Sequence, residues 1–326
     1  MFRFFSNAHF DFLRIRRASF VASGAFVAIG LLFLLFRGLS ESIEFTGGTV
    51  IQIAAANPNI TTSSIRDALS DAGIAGAEIT TFGTPQDFQI KVALASEDAA
   101  LSTQETGRRV DAALTAAFGK DGYTTQRLEA IGPKVGRELR TKAFLAILLS
   151  FSATLLYLWF RFEWRFGIAA IAATLHDIVA TVAFISVMNL EITLVVVAAV
   201  LTIVGYSLND TIVVFDRVRE NLHKFKRQNI YEVLNRSVNE NLPRTVITSL
   251  TTLVATLSLL IFGGAVIRGF AWVMTFGIVV GTFSSIYIAA PVLLDGETVA
   301  LHGVKQWLPK DVGAPVRLEP TTFFIP

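Results

Sequence analysis

The stretch Leu201–Asn221, LTIVGYSLNDTIVVFDRVREN, decides how the chain is read. An apolar run of membrane length reaches Asn209 and Asp210, continues through Thr211 to Phe215, and then meets Asp216, Arg217, Arg219 and Glu220. Asp210 therefore lies at least one helical turn inside the apolar zone. A carboxylate inside such a run costs roughly 2.5–3.5 kcal/mol on insertion scales, so it marks a functional site by default.

Composition agrees with a membrane reading. Apolar residues make up 52% of the 326 and charged residues 17%, with a mean hydropathy of +0.56. That is too apolar for an ordinary soluble protein. The sequence has no cysteine, which removes disulfides, thiolate metal sites and a thiol nucleophile. No nucleophile–base or metal constellation is visible. An enzyme is not expected, and neither is a cofactor, a metal or a nucleic-acid partner.

Six spans are expected, at 18–37, 142–160, 166–188, 192–214, 244–264 and 269–294. The first is too long for a signal peptide and no small-residue cleavage site follows it, so it is read as uncleaved. Residues 1–17 and the tail 295–326 then share one side. Lys and Arg select that side: Arg14, Arg16 and Arg17, then Arg161 and Arg165, then the basic run from Arg217 to Arg244, then Lys305 and Lys310 all fall together. The opposite short loops hold only Arg268. Both termini are expected in the cytoplasm. The segment 215–243 carries Phe215, Val218, Leu222 and Phe225 at helical spacing among basic residues, which predicts an amphipathic helix attracted to membrane lipids.

The segment 38–141 is far more polar. Ser42–Ala54 reads as a strand interrupted by Gly47-Gly48, Thr61–Ala72 as a helix, Ala77–Phe82 and Phe88–Leu94 as two strands, Asp98–Phe118 as a helix and Tyr123–Ile131 as a last strand. The order β-α-β-β-α-β predicts a small ferredoxin-like α+β domain on the extracytoplasmic side, joined to an α-helical polytopic membrane part.

Inside the spans, Thr174, Asp177 and Thr181 share one helical face, and Thr202, Tyr206 and Asp210 share another with Asn209 alongside. Arg244 and Thr248 begin one face of the fifth span. If spans 3, 4 and 5 face one another, two carboxylates, an arginine and many hydroxyls meet in one seam. An arginine beside Asp210 favours its charged form and desolvation favours its neutral form, a balance that proton relays use. Two other roles stay open: Arg244 can snorkel to the interface, and Asp210 can be its structural partner. His176, about 100° from Asp177, reads as a packed or hydrogen-bonded histidine.

Three motifs carry a family resemblance: IEFTGGT after the first span, GYSLNDTIVVFDRVREN in the fourth and LPRTVITSLTT opening the fifth. Together they resemble the SecD/SecF family of protein-export membrane components, within the resistance-nodulation-division (RND) superfamily. The chain is similar to the smaller of the two halves over nearly its whole length. Glu44 stands where the family usually has Asp, which keeps the charge. The resemblance implies an inner-membrane subunit that pairs with SecD, associates with the SecYEG channel and often with YajC, and acts after the motor ATPase SecA. It would use the proton-motive force to draw a translocating preprotein across. It also implies that Asp210 is the proton-relay carboxylate, Arg244 its coupled arginine and Asp177 a further candidate on the path, with Glu44, Phe45, Gly47 and Gly48 as the first motif. Two other functions are weighed: a non-transporting scaffold of the translocon, and an RND-type exporter of small molecules or lipids. Six spans alone can hardly enclose a proton path, so an obligate membrane partner is expected.

Overall fold

The computed structural model describes residues 8–92, 103–225 and 228–296. Among them, six helical segments are long and apolar enough to cross a membrane. They contain α1 (Arg16–Arg37), α5 (Pro133–Arg161), α6 (Trp164–Val187), α7 (Leu194–Lys224), α8 (Ile230–Phe262) and α9 (Gly264–Ser284). After α9 the chain makes one π-helical turn, Ser285–Ala289, and stays helical to Gly296. Each segment overlaps one predicted span. The spans at 18–37, 142–160 and 269–294 fall inside theirs, whereas 166–188, 192–214 and 244–264 each pass one end by one or two residues. Most helices run well beyond the predicted spans at the other end, because charged residues end an apolar run without ending a helix. Pro133, in the first turn after an extended Gly132, starts α5 well before residue 142. Gly264, at φ +74, lets α8 turn directly into α9, so Arg268 lies inside α9 and not in a loop.

The predicted amphipathic segment 215–243 is not one interfacial helix. It is the end of α7 and the start of α8, which runs through Pro243 without a break. Phe215 and Val218 are buried with Leu234 and Val238, and Leu222 packs against the same cluster. Arg236 stacks over Phe225 at 4.3 Å from the ring centre. Helical periodicity looks the same whether an apolar stripe meets lipid or a second helix, and here it meets α8. Arg161 clamps this hairpin to α5 through Asp216, at 2.8 and 2.9 Å.

Three helices form the centre of the bundle. The most apolar windows are 67% buried for the span that begins with α9, 50% for α6 and 44% for α7, against 11% or less for the other three. Small residues allow the close approaches. A Cβ added at Gly30 of α1 would sit 2.1 Å from Ala183 Cβ of α6, and one at Gly277 of α9 would sit 2.2 Å from Ile203 Cδ1 of α7.

Between α1 and α5 lies the α+β domain, with α2 (Ile43–Thr46), β1 (Gly48–Ala55), α3 (Thr62–Asp71), β2 (Glu78–Thr81), β3 (Asp87–Val92), α4 (Thr103–Phe118) and β4 (Tyr123–Ile131). The sheet is antiparallel in the order β2-β3-β1-β4, which is the predicted ferredoxin-like topology. Ile51, Ile53 and Ile90 pack under Ile65 and Leu69 of α3 and Val110 and Leu114 of α4. The reading of Ser42–Ala54 as one strand is corrected. Ile43–Thr46 is a helical turn capped by Ser42, and the strand begins at Gly48 because Gly47 turns the chain at φ +75. The start of the predicted helix at Asp98, the end of the strand at Leu94 and the tail beyond Gly296 lie outside the described residues.

The α1–α6 contact yields a test. Gly30→Ala overpacks a backbone contact and should destabilise the protein by about 1–3 kcal/mol in detergent unfolding. Gly24→Ala, with no atom within 4 Å of its added Cβ, should be neutral or mildly stabilising on the same chain.

Candidate functional site

Two carboxylates sit inside the helix bundle. Asp177 of α6 is 1% exposed. Its Oδ2 accepts hydrogen bonds from Ser207 Oγ of α7 and, at 2.6 Å, from Ser284 Oγ of α9. Its Oδ1 lies 2.8 Å from Nδ1 of His176. The other ring nitrogen, Nε2, is hydrogen-bonded to Ser23 Oγ of α1. A chain of polar groups thus runs from α9 and α7 through Asp177 and His176 to α1.

Asp210 of α7 is the second buried carboxylate. Oδ1 accepts from Thr245 Oγ1 of α8 at 2.8 Å, and Oδ2 accepts from Ser285 Oγ at 3.0 Å. Ser284 and Ser285 are neighbours, and successive helical residues point about 100° apart. One end of α9 therefore serves both carboxylates, Asp177 on one side and Asp210 on the other. The π-helical turn begins at this pair, and such turns often occur at functional sites.

Every oxygen-bearing side chain on these carboxylates is a hydroxyl. A hydroxyl has one proton and two lone pairs, so it can donate to a carboxylate or accept from a carboxylic acid. Each serine of the pair also has a backbone acceptor within reach: Gly281 O lies 3.1 Å from Ser284 Oγ, and Thr282 O lies 3.0 Å from Ser285 Oγ. If the carboxyl group takes up a proton and becomes the donor, the serine proton has a carbonyl to turn to. Both protonation states can be hydrogen-bonded without moving a helix.

The direct Asp210–Arg244 pair expected from the sequence is not formed. Thr245 points inward and holds the carboxylate, while Arg244, one residue earlier, is exposed on the outside of α8. The expected polar seam also faces differently. Thr202, Asn209 and Thr248 are exposed, and Thr202 and Thr248 bond to the backbone carbonyls of Ala198 and Arg244 at 2.8 and 2.9 Å. Tyr206 is half-buried beside an apolar cluster. Thr174 and Thr181 bond to Ala170 O and Asp177 O, not to the carboxylate. Sequence reasoning missed Ser207, Ser284, Ser285, Thr245 and Ser23. The adjacent serines in an otherwise apolar sixth span were the visible signal.

The first motif sits at the other end of α7. Ile43 and Phe45 are buried. A Cβ on Gly47 would meet Pro133 Cα at 2.8 Å, and one on Gly136 would meet Phe45 O at 3.0 Å, so α2 lies against the start of α5. Gly48 opens β1 opposite Ile131. Glu44 Oε2 accepts from the backbone N–H of Leu194, the first residue of α7, at 2.5 Å.

Two family models match the chain. The SecD/SecF GG motif covers residues 32–58, and the C-terminal model of the protein export membrane protein SecD/SecF covers residues 111–298. The chain belongs to the SecD/SecF family. Among relatives of this family, it is 49% identical over 301 residues to the protein translocase subunit SecF of Gemmatimonas aurantiaca, covering 90% of this chain and 89% of that one. It is 42% identical over 291 residues to the SecF of Magnetococcus marinus, covering 89% and 93%. Its fold is similar to the crystal structure of SecDF, a translocon-associated membrane protein from Thermus thermophilus, with a TM-score of 0.80 and 37% identity; that match covers 90% of this chain and 40% of that one. SecDF in a super-membrane-facing form matches with a TM-score of 0.69 and 35% identity, covering 94% and 41%. The chain thus spans about two-fifths of the SecDF chains and nearly all of the SecF relatives. Within this SecD/SecF framework the protein is a multi-pass membrane protein and a transport component.

The hydroxyl cage around Asp177 can be tested by stability. Ser284→Ala leaves a buried acceptor with one donor fewer and should cost about 1–3 kcal/mol in detergent unfolding. Ser258→Ala, which removes only an exposed bond to Val254 O, should stay within about 0.5 kcal/mol of the parent.

Proposed function

We propose that the chain is the SecF-type half of a proton-driven SecD–SecF unit that completes preprotein translocation. The observation that carries this reading is Asp210, a buried membrane carboxylate held by two neutral hydroxyls, with a spare carbonyl beside Ser285. An arginine paired directly would hold the ionised form. Hydroxyls serve both forms, which is what a site that loads and releases a proton requires. Asp177, with Ser207, Ser284 and His176, is the second carboxylate of the same reading.

The partner follows from the exposed side of the bundle. Thr202 and Asn209 of α7 and Arg244, Thr248 and Thr251 of α8 are exposed at membrane depth. The threonines bond to their own helix backbones, but the Arg244 guanidinium and the Asn209 amide need protein or water, not lipid. In this reading SecD covers that face and brings the opposing half-site. The complex works at the SecYEG channel, with YajC, after SecA has started the preprotein across. It lies in the bacterial inner membrane with both termini cytoplasmic, a placement supported by Arg14, Arg16 and Arg17 at the start of α1 and by Arg217, Arg219 and Lys224 at the end of α7. No cofactor is involved, because the proton gradient supplies the energy.

The test is preprotein export into inner-membrane vesicles that carry Asp210→Asn with wild-type SecD. Asn keeps size and hydrogen bonding and removes the titrating proton. The part of export that depends on the proton-motive force should disappear, while ATP-driven export and assembly with SecD persist. Unchanged stimulation by the proton-motive force would make Asp210 a structural residue and leave the scaffold function standing.

A further inference from the structure

The α+β domain grips the membrane bundle at the loop between α6 and α7. Ile192 N donates to Ser40 O at 2.7 Å, and Ser42 N donates to Ile192 O at 3.0 Å, which forms a parallel bridge between Glu41 and Ile192. Lys91 of β3 pairs with Glu191 at 2.7 Å. Glu44 of α2 completes the contact. Its carboxylate accepts the N–H of Leu194 at 2.5 Å, one of the amides at a helix start that have no partner within the helix. Thr193 caps the same end by accepting from Val196 N. A negative charge there also faces the positive end of the helix dipole.

Both sides of this grip are rigid. Ser42–Gly48 is held between β1 and the start of α5, where Gly47 and Gly136 leave no room for a side chain. On the other side, α7 is one unbroken helix from Leu194 to Lys224. It carries Ser207, which bonds to Asp177, and Asp210 itself. Asp210 lies sixteen residues from Leu194, about 24 Å along the axis at roughly 1.5 Å per residue. A shift of α7 at the carboxylates therefore reaches the domain through Leu194, and a movement of the domain reaches the carboxylates by the same route.

We propose that Glu44 is the coupling residue of this protein: its carboxylate clamps the α+β domain to the start of α7, so that movement of the proton-bearing helix becomes movement of the domain. Glu44 is a positioning residue and carries no proton in the cycle. This proposal rests on the proton-driven function given above.

The variants distinguish a clamp from a proton carrier. Glu44→Ala removes the acceptor. Glu44→Gln keeps an acceptor oxygen and removes the titrating group. Each is assembled with wild-type SecD and assayed for export into vesicles and for proton flux into proteoliposomes. Glu44→Ala should lower proton-motive-force-stimulated export at least about fivefold, the low end of ordinary coupling between sites, with proton flux within about twofold of the parent. Glu44→Gln should keep at least half of that export. Unchanged export with Glu44→Ala overturns the proposal. So does a Glu44→Gln defect as deep as that of Glu44→Ala, or a fall in proton flux in step with export. The chain has no cysteine, so a Glu44→Ala chain that fails to assemble is assayed with Glu41→Cys and Ile192→Cys oxidised to a cross-link. Recovery supports the clamp and continued failure overturns it. Asp210→Asn is run alongside: normal proton flux in that variant sinks the proton reading of Asp210, whereas the clamp stands or falls on the Glu44 variants.

Discussion

A carboxylate in a medium with no water needs hydrogen-bond donors from the protein, and that need shapes the centre of this molecule. Asp177 and Asp210 take their donors from different helices. Ser207 and Ser284 come to Asp177 from α7 and α9, and Thr245 and Ser285 come to Asp210 from α8 and the end of α9. His176 extends the first network to Ser23 of α1. Polar bonds thus tie five of the six spanning segments at two points. The sixth, α5, is held at its ends, by Asp216 at one and by Glu41 at the other.

Close helix packing makes those bonds reachable. Hydroxyls on short side chains meet a carboxylate only where backbones approach closely, and small residues provide this at the contacts of α9 with α7. Gly277 faces Ile203, and Gly281 faces Ser207. The same geometry explains why the donors are Ser and Thr. Arg244 lies on the outside of α8 instead. That outward arginine, with Thr202, Asn209 and Thr248, gives the bundle a polar outer face.

The α+β domain and the bundle are joined through short, stiff connections. Gly47 needs both its positive φ and its missing side chain, since Pro133 Cα lies where a Cβ would go. The helical turn before it places Glu44 at the start of α7. The Gly-Gly pair is therefore a joint between the sheet, α5 and the bundle, not a simple interruption within a strand.

Six apolar runs and the β-α-β-β-α-β order were legible in the sequence, because each rests on local composition or on periodicity along the chain. Asp177 and Asp210 were legible too, since a charge in an apolar run is conspicuous by itself. The partners of those carboxylates were not. A hydroxyl in a helix can bond to its own backbone, as Thr174, Thr202 and Thr248 do, or cross to another helix, as Ser207, Ser284 and Thr245 do. Spacing along one helix says which residues share a face and not what that face meets. The stripe Phe215–Leu222 looked like a lipid-facing helix for the same reason and is the inside of a hairpin. What the sequence determined by itself was which segments cross the membrane and which carries a costly charge. Only the tertiary structure decided which hydroxyls answer that charge, that Arg244 stays outside, and that Glu44 meets α7, because those depend on how helices distant in the chain rotate and approach one another.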